Sequence, residues 1–229
     1  MTGRNPSRER AALTLELPQF KQNVTGRVNA NRRLLVEDIL DAATEVFAKK
    51  GYLGTNLNDV AEKLGVTRQA LYYHFRAKHD ILTTIFEYIF HDLGTAIDLS
   101  VESTDDPVER FRRMVRAHIR VVISMPHRAS ILLLEYRNLP PLAAKRTIEQ
   151  RERLLGRFAS AYSDAVVAGG FRDVDPMIVA QLIIGAGTSM HRWFRPSGKL
   201  SVDEIATLAE GLLIDGYTHA TGKPSVQKN

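Results

Sequence analysis

The chain has 229 residues, of which 44% are hydrophobic and 25% charged, a formal net charge of +5 and no cysteine. That composition excludes wholesale disorder, collagen and a coiled-coil rod, and the lack of Cys excludes disulfides, thiolate metal sites and a cysteine nucleophile. No apolar run reaches the roughly 18–20 residues of a membrane span, and the basic N-terminus lacks the hydrophobic core of a signal peptide; a cytoplasmic protein without a membrane partner is expected.

The positive charge is concentrated at one end. Residues 1–33 hold seven bases (Arg4, Arg8, Arg10, Lys21, Arg27, Arg32, Arg33) against two acids (Glu9, Glu16), and the rest of the chain is balanced. Such a tail suits a polyanion, and a solvated tail with no partner accounts for it equally well. Residues 1–31 show weak periodicity and read as a flexible arm, with a transient helix over residues 8–17 as the structured alternative.

From Arg32 onward the apolar residues recur at helical spacing. Leu35, Ile39, Ala42, Ala43, Val46 and Phe47 form one stripe, stopped by Gly51. Leu57, Val60, Ala61 and Leu64 mark a short second helix ended by Gly65, and Thr67 caps a third containing Ala70 and Leu71. A fourth begins near Lys78 and buries Ile81, Leu82, Ile85, Phe86, Ile89 and Leu93.

The second half continues alike. Asp105 or Asp106 caps a helix with Pro107 in its first turn, burying Phe111, Met114, Val115, His118, Ile119 and Val122 until Pro126 breaks it. An apolar segment over residues 131–136 stops at Pro140-Pro141. A long helix with Leu154, Leu155, Phe158, Tyr162 and Val166 runs to Gly169-Gly170. Another starts at Asp175-Pro176 and runs to about residue 194. The last is capped by Ser201 with Glu204 completing a capping box, and carries Ile205, Leu208, Ala209, Leu212 and Leu213. The sequence predicts nine helices, no sheet and no internal repeat: an all-α fold.

The second and third helices, joined by a tight Gly65-Val66 turn, form a helix-turn-helix, whose second helix enters the major groove. Small residues fit where the two helices meet (Ala61, Ala70), and Thr67, Arg68, Gln69, Tyr72, Tyr73 and His74 supply polar groups for the outer face. Arg suits guanine O6 and N7, and Gln suits adenine. Phe75 reads as core, and for Tyr73 core packing is favoured over DNA contact.

The wider string over residues 39–82 resembles the DNA-binding domain of the TetR family of bacterial regulators. The resemblance rests on Ala42-Ala43, Phe47, Gly51-Tyr52, Thr55, Val60-Ala61, Gly65-Val66, Leu71-Tyr72, His74-Phe75, Lys78 and Leu82, with Asn56 as a departure from the usual Thr, Ser or Val. It implies phosphate contacts by Thr55 and by Lys78 at a helix N-terminus, backbone contacts by Thr67, Tyr72 and His74, and base reading by Arg68 and Gln69. It also implies three parts: an arm (1–31), a helix-turn-helix domain (32–92) and a helical ligand-binding and dimerisation domain (93–229). Homodimers would form through the last two helices. The Gly185-Ala186-Gly187 run allows close backbone approach there, and equally allows packing within the chain.

Polar groups on apolar faces are the ligand candidates: Met114, His118, Arg137, Asn138, His191, Arg192 and Trp193. A satisfied buried histidine is the favoured reading of His118, and core packing that of Met114. The stretch HRWFRPSGKLS, from His191, resembles the Arg-Trp-aromatic-x-Pro ending of family members that respond to acyl-coenzyme A, where an Arg could pair with phosphate or carboxylate. The competing reading has Trp193 and Phe194 sealing a helix end.

These features predict a sequence-specific DNA-binding regulator, a repressor released from a palindromic operator by an effector such as an acyl-CoA thioester, without cofactor or metal. The alternative is a helical nucleoid-type protein binding DNA through its arm without sequence preference or effector. An enzyme is disfavoured, since HExxH, Walker and GxSxG motifs are missing.

Overall fold

A computed structural model describes residues 36–195 and 197–216, and within them every regular element is helical. The helices are α1 (Val36–Lys50), α2 (Leu57–Leu64), α3 (Arg68–His74), α4 (Lys78–Val101), α5 (Pro107–Ser124), α6 (Pro126–Leu134), α7 (Pro141–Val167), α8 (Pro176–Ser189) and α9 (Val202–Asp215). Short 3-10 turns follow α6 (Tyr136–Asn138) and α8 (Met190–Arg192). The basic arm, Arg32, Arg33 and Leu35 lie outside the described residues.

Four of these helices begin with proline, at Pro107, Pro126, Pro141 and Pro176. The missing N–H costs nothing at a first helical position, where it would have had no partner in the helix. Pro126, expected to break a helix, therefore also opens α6, so the apolar segment predicted over residues 131–136 is, as far as Leu134, the end of a helix that starts five residues earlier, and Tyr136 opens the 3-10 turn. Asp106 rather than Asp105 caps α5, its carboxylate accepting from Val108 N at 3.0 Å. The helix expected to run to about residue 194 ends at Ser189 and tightens into the 3-10 turn.

α1, α2 and α3 close around Ile39, Ala43, Phe47, Val60, Leu64 and Leu71, together with Ile81, Leu82 and Phe86 from the first turns of α4. At 24 residues, α4 is about 36 Å long. It crosses residues 92 and 93 without a break, and its later residues Leu93, Ala96 and Ile97 join the core of the second half. There α5 is central, packed against α4, α7, α8 and α9. The Phe111, Phe158 and Tyr162 rings meet edge to face at its start.

α9 is fastened to α5 by charge as well as by packing. The buried Glu210 carboxylate accepts from Arg112 at 2.6 Å and from Arg116 at 2.9 Å, and Arg120 pairs with Asp203 at 2.7 Å. Ile205, Ala206 and Ala209 face inward. Ile205, part of the apolar stripe predicted on the last helix, thus belongs to the protomer core, whereas Leu208 of the same stripe stays exposed.

Candidate DNA-reading face and effector cavity

The turn between α2 and α3 is set by Gly65, whose φ of +68° is the left-handed region that glycine enters without penalty. α2 begins with a capping box in which Asn56 accepts from Asp59 N at 3.2 Å and Asp59 accepts from Asn56 N at 2.7 Å. The departure from the family pattern at Asn56 is thus an effective cap. Thr67 caps α3 by accepting from Ala70 N at 3.3 Å. Leu71 and Phe75 anchor α3 in the core, which leaves Thr67, Arg68, Gln69, Tyr72 and Tyr73 exposed and His74 half-buried.

Arg68 and Tyr72, one helical turn apart, act as a pair. The Arg68 guanidinium donates to the Tyr72 hydroxyl from Nη2 at 2.6 Å and lies 5.1 Å from the centre of its ring. Tyr73, favoured as core, is 86% exposed. It lies two residues from both Leu71 and Phe75, which puts it across the helix from the face they bury. Its ring meets His74 edge-on at 5.0 Å.

Thr55 and Lys78 sit differently from the phosphate contacts expected of them. The Thr55 hydroxyl is buried and donates to Gly51 O at 2.8 Å. Lys78 Nζ donates to Tyr52 O at 2.6 Å and Thr55 O at 2.7 Å, and lies 4.2 Å from the centre of the Tyr52 ring. Both side chains hold the turn between α1 and α2, because that turn leaves backbone carbonyls needing donors.

In the second half a cavity of about 790 Å³ opens between α4, α5, α6, α7 and α8. Its wall is mainly apolar, with Ile89, Leu93, Val122, Leu132, Leu154 and Ile184 among the lining side chains. Arg128, Arg151 and Arg192 also line it, and no carboxylate does. Arg151 and Arg192 are exposed, so their charge is free to meet a ligand where the cavity reaches solvent. Arg128 is buried and already paired, with Asp41 of α1 at 2.8 Å and Asp92 of α4 at 3.2 Å. Burial pushes the Asp92 carboxyl above its ordinary pKa, and Arg128 opposes that rise.

Of the seven ligand candidates, His118 and Arg192 line this cavity. Met114 is buried in the core. Arg137 is exposed beyond α6, and Asn138 donates to Glu135 at 2.7 Å. His191 is held by its Nδ1 at 2.6 Å from Thr188 O and lines a neighbouring cleft of about 580 Å³ with Arg192, Phe194 and Arg195. Trp193 is 55% exposed and lines neither space, while Phe194 is buried, so the two rings do not jointly seal the helix end.

Sequence reasoning missed α6 as a wall and as a contact with the helix-turn-helix end formed by α1–α3, the reading head. Besides Arg128, Glu135 at its end accepts from the Tyr52 backbone N–H at 3.1 Å, so α6 touches the same turn that Lys78 braces. A charged residue at each end of an apolar segment gives no local sign of partners more than 80 residues away.

Comparison with known proteins agrees with this arrangement. Residues 39–85 match the model of the bacterial regulatory proteins of the tetR family, and residues 104–217 match that of the tetracyclin repressor-like C-terminal domain. The HTH-type transcriptional repressor KstR2 of Mycobacterium tuberculosis is 25% identical over 199 residues, covering 85% of this chain and 96% of the relative. The crystal structure of the TetR family regulator PfmR from Thermus thermophilus is 31% identical, with a TM-score of 0.72 over 79% of this chain and 99% of that one. AibR, solved in complex with isovaleryl coenzyme A and operator DNA, is 26% identical, with a TM-score of 0.70 over 80% of this chain and 99% of that one. A helix-turn-helix at one end, a helical second half and matches over both place this chain in the TetR family of DNA-binding transcriptional regulators.

Proposed function

We propose that the protein is a homodimeric repressor that leaves a palindromic operator when an acyl-CoA thioester fills the cavity between α4 and α8. The observation that carries this reading is the chemistry of the cavity: an apolar interior of about 790 Å³, two exposed arginines in its wall and no carboxylate. An acyl chain suits the interior, and arginine forks suit the phosphates of the nucleotide end. The naming of KstR2 as a repressor supports the repressor reading, and the AibR complex with isovaleryl coenzyme A and operator DNA supports this class of effector.

Operator reading falls to α3 of each protomer, with Arg68 and Gln69 as base readers and Thr67, Tyr72, Tyr73 and His74 toward the backbone. The functional division lies between residues 32–92 and 93–229, with α4 common to both. A ligand releases DNA only by favouring the conformation that does not bind it. Because α4 and α6 are both cavity walls and both touch the reading head, a ligand that displaces them alters the spacing of the two recognition helices. A nucleoid-type binder has no use for such a cavity.

The test is a footprint on DNA flanking the protein's own gene, repeated with an acyl-CoA panel. A discrete protected palindrome that disappears with one thioester is the expected result. Arg68→Ala and Gln69→Ala should each relax preference at one base by about 1–3 kcal/mol, and Arg192→Ala should weaken release. Uniform protection that ignores every thioester would refute the proposal.

A further inference from the structure

Two side chains, Leu133 of α6 and Arg192 of the 3-10 turn after α8, line both the cavity of about 790 Å³ and the neighbouring cleft of about 580 Å³. Both are exposed. Exposed side chains change rotamer within nanoseconds, so the boundary that the two spaces share can open there without moving a helix.

The two spaces differ in chemistry. The cavity wall is mainly apolar, whereas Arg195 joins Arg192 in the cleft and no carboxylate lines it. The coil after α8 brings the two arginines together. The N–H groups of Trp193 and Phe194 both donate to Met190 O, at 3.2 and 2.9 Å, and buried Phe194 pins the coil to the core. Arg192 and Arg195 reach the same cleft, while Trp193 between them lines neither space.

Arg195 is already oriented. Its Nη1 donates to Arg192 O at 3.1 Å and to Phe194 O at 3.0 Å. A guanidinium carries five N–H donors on three nitrogens, so these bonds leave Nε and Nη2 open among the described residues. A fork held at one nitrogen and open along the opposite edge suits a phosphate, and loses little freedom in binding it. Leu134, largely exposed, and Phe194 add apolar surface to the same cleft, which suits a flat base.

We propose that this cleft seats the nucleotide end of a coenzyme A thioester. Arg192 and Arg195 hold its phosphates, and the pantetheine arm crosses the shared boundary at Leu133 and Arg192 into the cavity. The proposal rests on the cavity taking the acyl end, and deepens that reading by giving the ligand a direction. It leaves the cavity toward α6 and the 3-10 turn, not past Arg151 on α7.

Binding of coenzyme A, of pantetheine and of inorganic phosphate to the full chain would be measured by calorimetry, for wild type, Arg195→Gln and Arg151→Gln. Trp193, the sole tryptophan, adjoins Arg192 in the chain and supplies a second readout through its emission. Coenzyme A should bind wild type at least about tenfold more tightly than pantetheine or phosphate, and should lose about tenfold in Arg195→Gln, as for one charge-assisted hydrogen bond. It should also change the Trp193 emission, which pantetheine should not. Should Arg195→Gln fail to fold, the wild-type ratios and the emission still decide. No binding of coenzyme A, equal binding of inorganic phosphate, an unchanged emission, or a loss confined to Arg151→Gln overturns the proposal. Operator release by the acyl-CoA panel is read separately. Coenzyme A binding that depends on Arg195, without release by any thioester, removes the effector reading alone. Release by a thioester that is undiminished in Arg195→Gln removes this proposal alone.

Discussion

Arg128 of α6 donates to Asp41 of α1 across 2.8 Å, joining a side chain in the cavity wall to the first helix of the reading head. The same guanidinium holds Asp92 of α4, so three helices meet at one buried cation. Removing the cation alone leaves two carboxylates without it in a partly buried site, which is the expensive way to break such a cluster. Arg128→Met should cost about 3–5 kcal/mol, and adding Asp92→Asn should recover much of the loss. Asp41 is half-exposed, so Asp41→Asn should cost only about 1 kcal/mol. Thermal unfolding of the single and double variants checks the order. The same Asp41→Asn protein should keep operator affinity but respond less to effector; an undiminished response would show that the bridge carries no coupling.

Lys78 gives a second contrast. Its ammonium satisfies the Tyr52 and Thr55 carbonyls, whereas Arg68 is exposed and partnered by Tyr72 on its own helix. Lys78→Met should destabilise the protein by about 1–3 kcal/mol and weaken all DNA sequences alike. Arg68→Ala should leave unfolding unchanged and reduce discrimination between sequences. Tyr73→Ala should also leave stability unchanged, since a side chain so exposed contributes little to the core. Melting curves beside binding to operator and scrambled DNA separate the two classes.

The dimer seam is expected along the outer faces of α8 and α9. Ile178 and Leu182 of α8 and Leu208 of α9 are exposed apolar side chains on these two helices, with Leu182 at 67% and Leu208 at 48%. Leu182→Arg or Leu208→Arg should give folded monomers by sedimentation that no longer hold the operator. Ile205→Arg should instead unfold the protomer, because Ile205 packs against α5. Wild-type protein that sediments as a monomer at micromolar concentration would overturn the assignment.

Acid should find His118. Its folded-state pKa near 4 lies below the ordinary value of 6.5, so the unfolded chain takes up the proton first as pH falls. Its contribution to stability is present above about pH 6.5 and is lost progressively toward pH 4, up to roughly 3 kcal/mol. His118→Phe should flatten the pH dependence of unfolding in that window, and an unchanged profile would mean that other groups dominate it.

The helices and the helix-turn-helix were legible in the sequence because they depend on short-range facts. Apolar residues at three and four, Thr67 and Ser201 as caps, Gly65 at a left-handed turn and Pro107 and Pro176 at helix starts act within one or two turns of chain, whereas Pro126 and Pro141, read as stops, open helices of their own. The exposed face of α3 was legible for the same reason, save Tyr73, whose side was decided by where Leu71 and Phe75 met the core. The tertiary structure alone decided which polar groups were already taken. Lys78 and Thr55 were drawn to the carbonyls of a neighbouring turn, and Glu210 to Arg112 and Arg116 across about a hundred residues. It also decided which of the seven ligand candidates shared a cavity, and that α6 joins this cavity to the reading head. A hydrogen bond forms over about 3 Å of space whatever the distance along the chain, so these partners became visible only when the helices were packed.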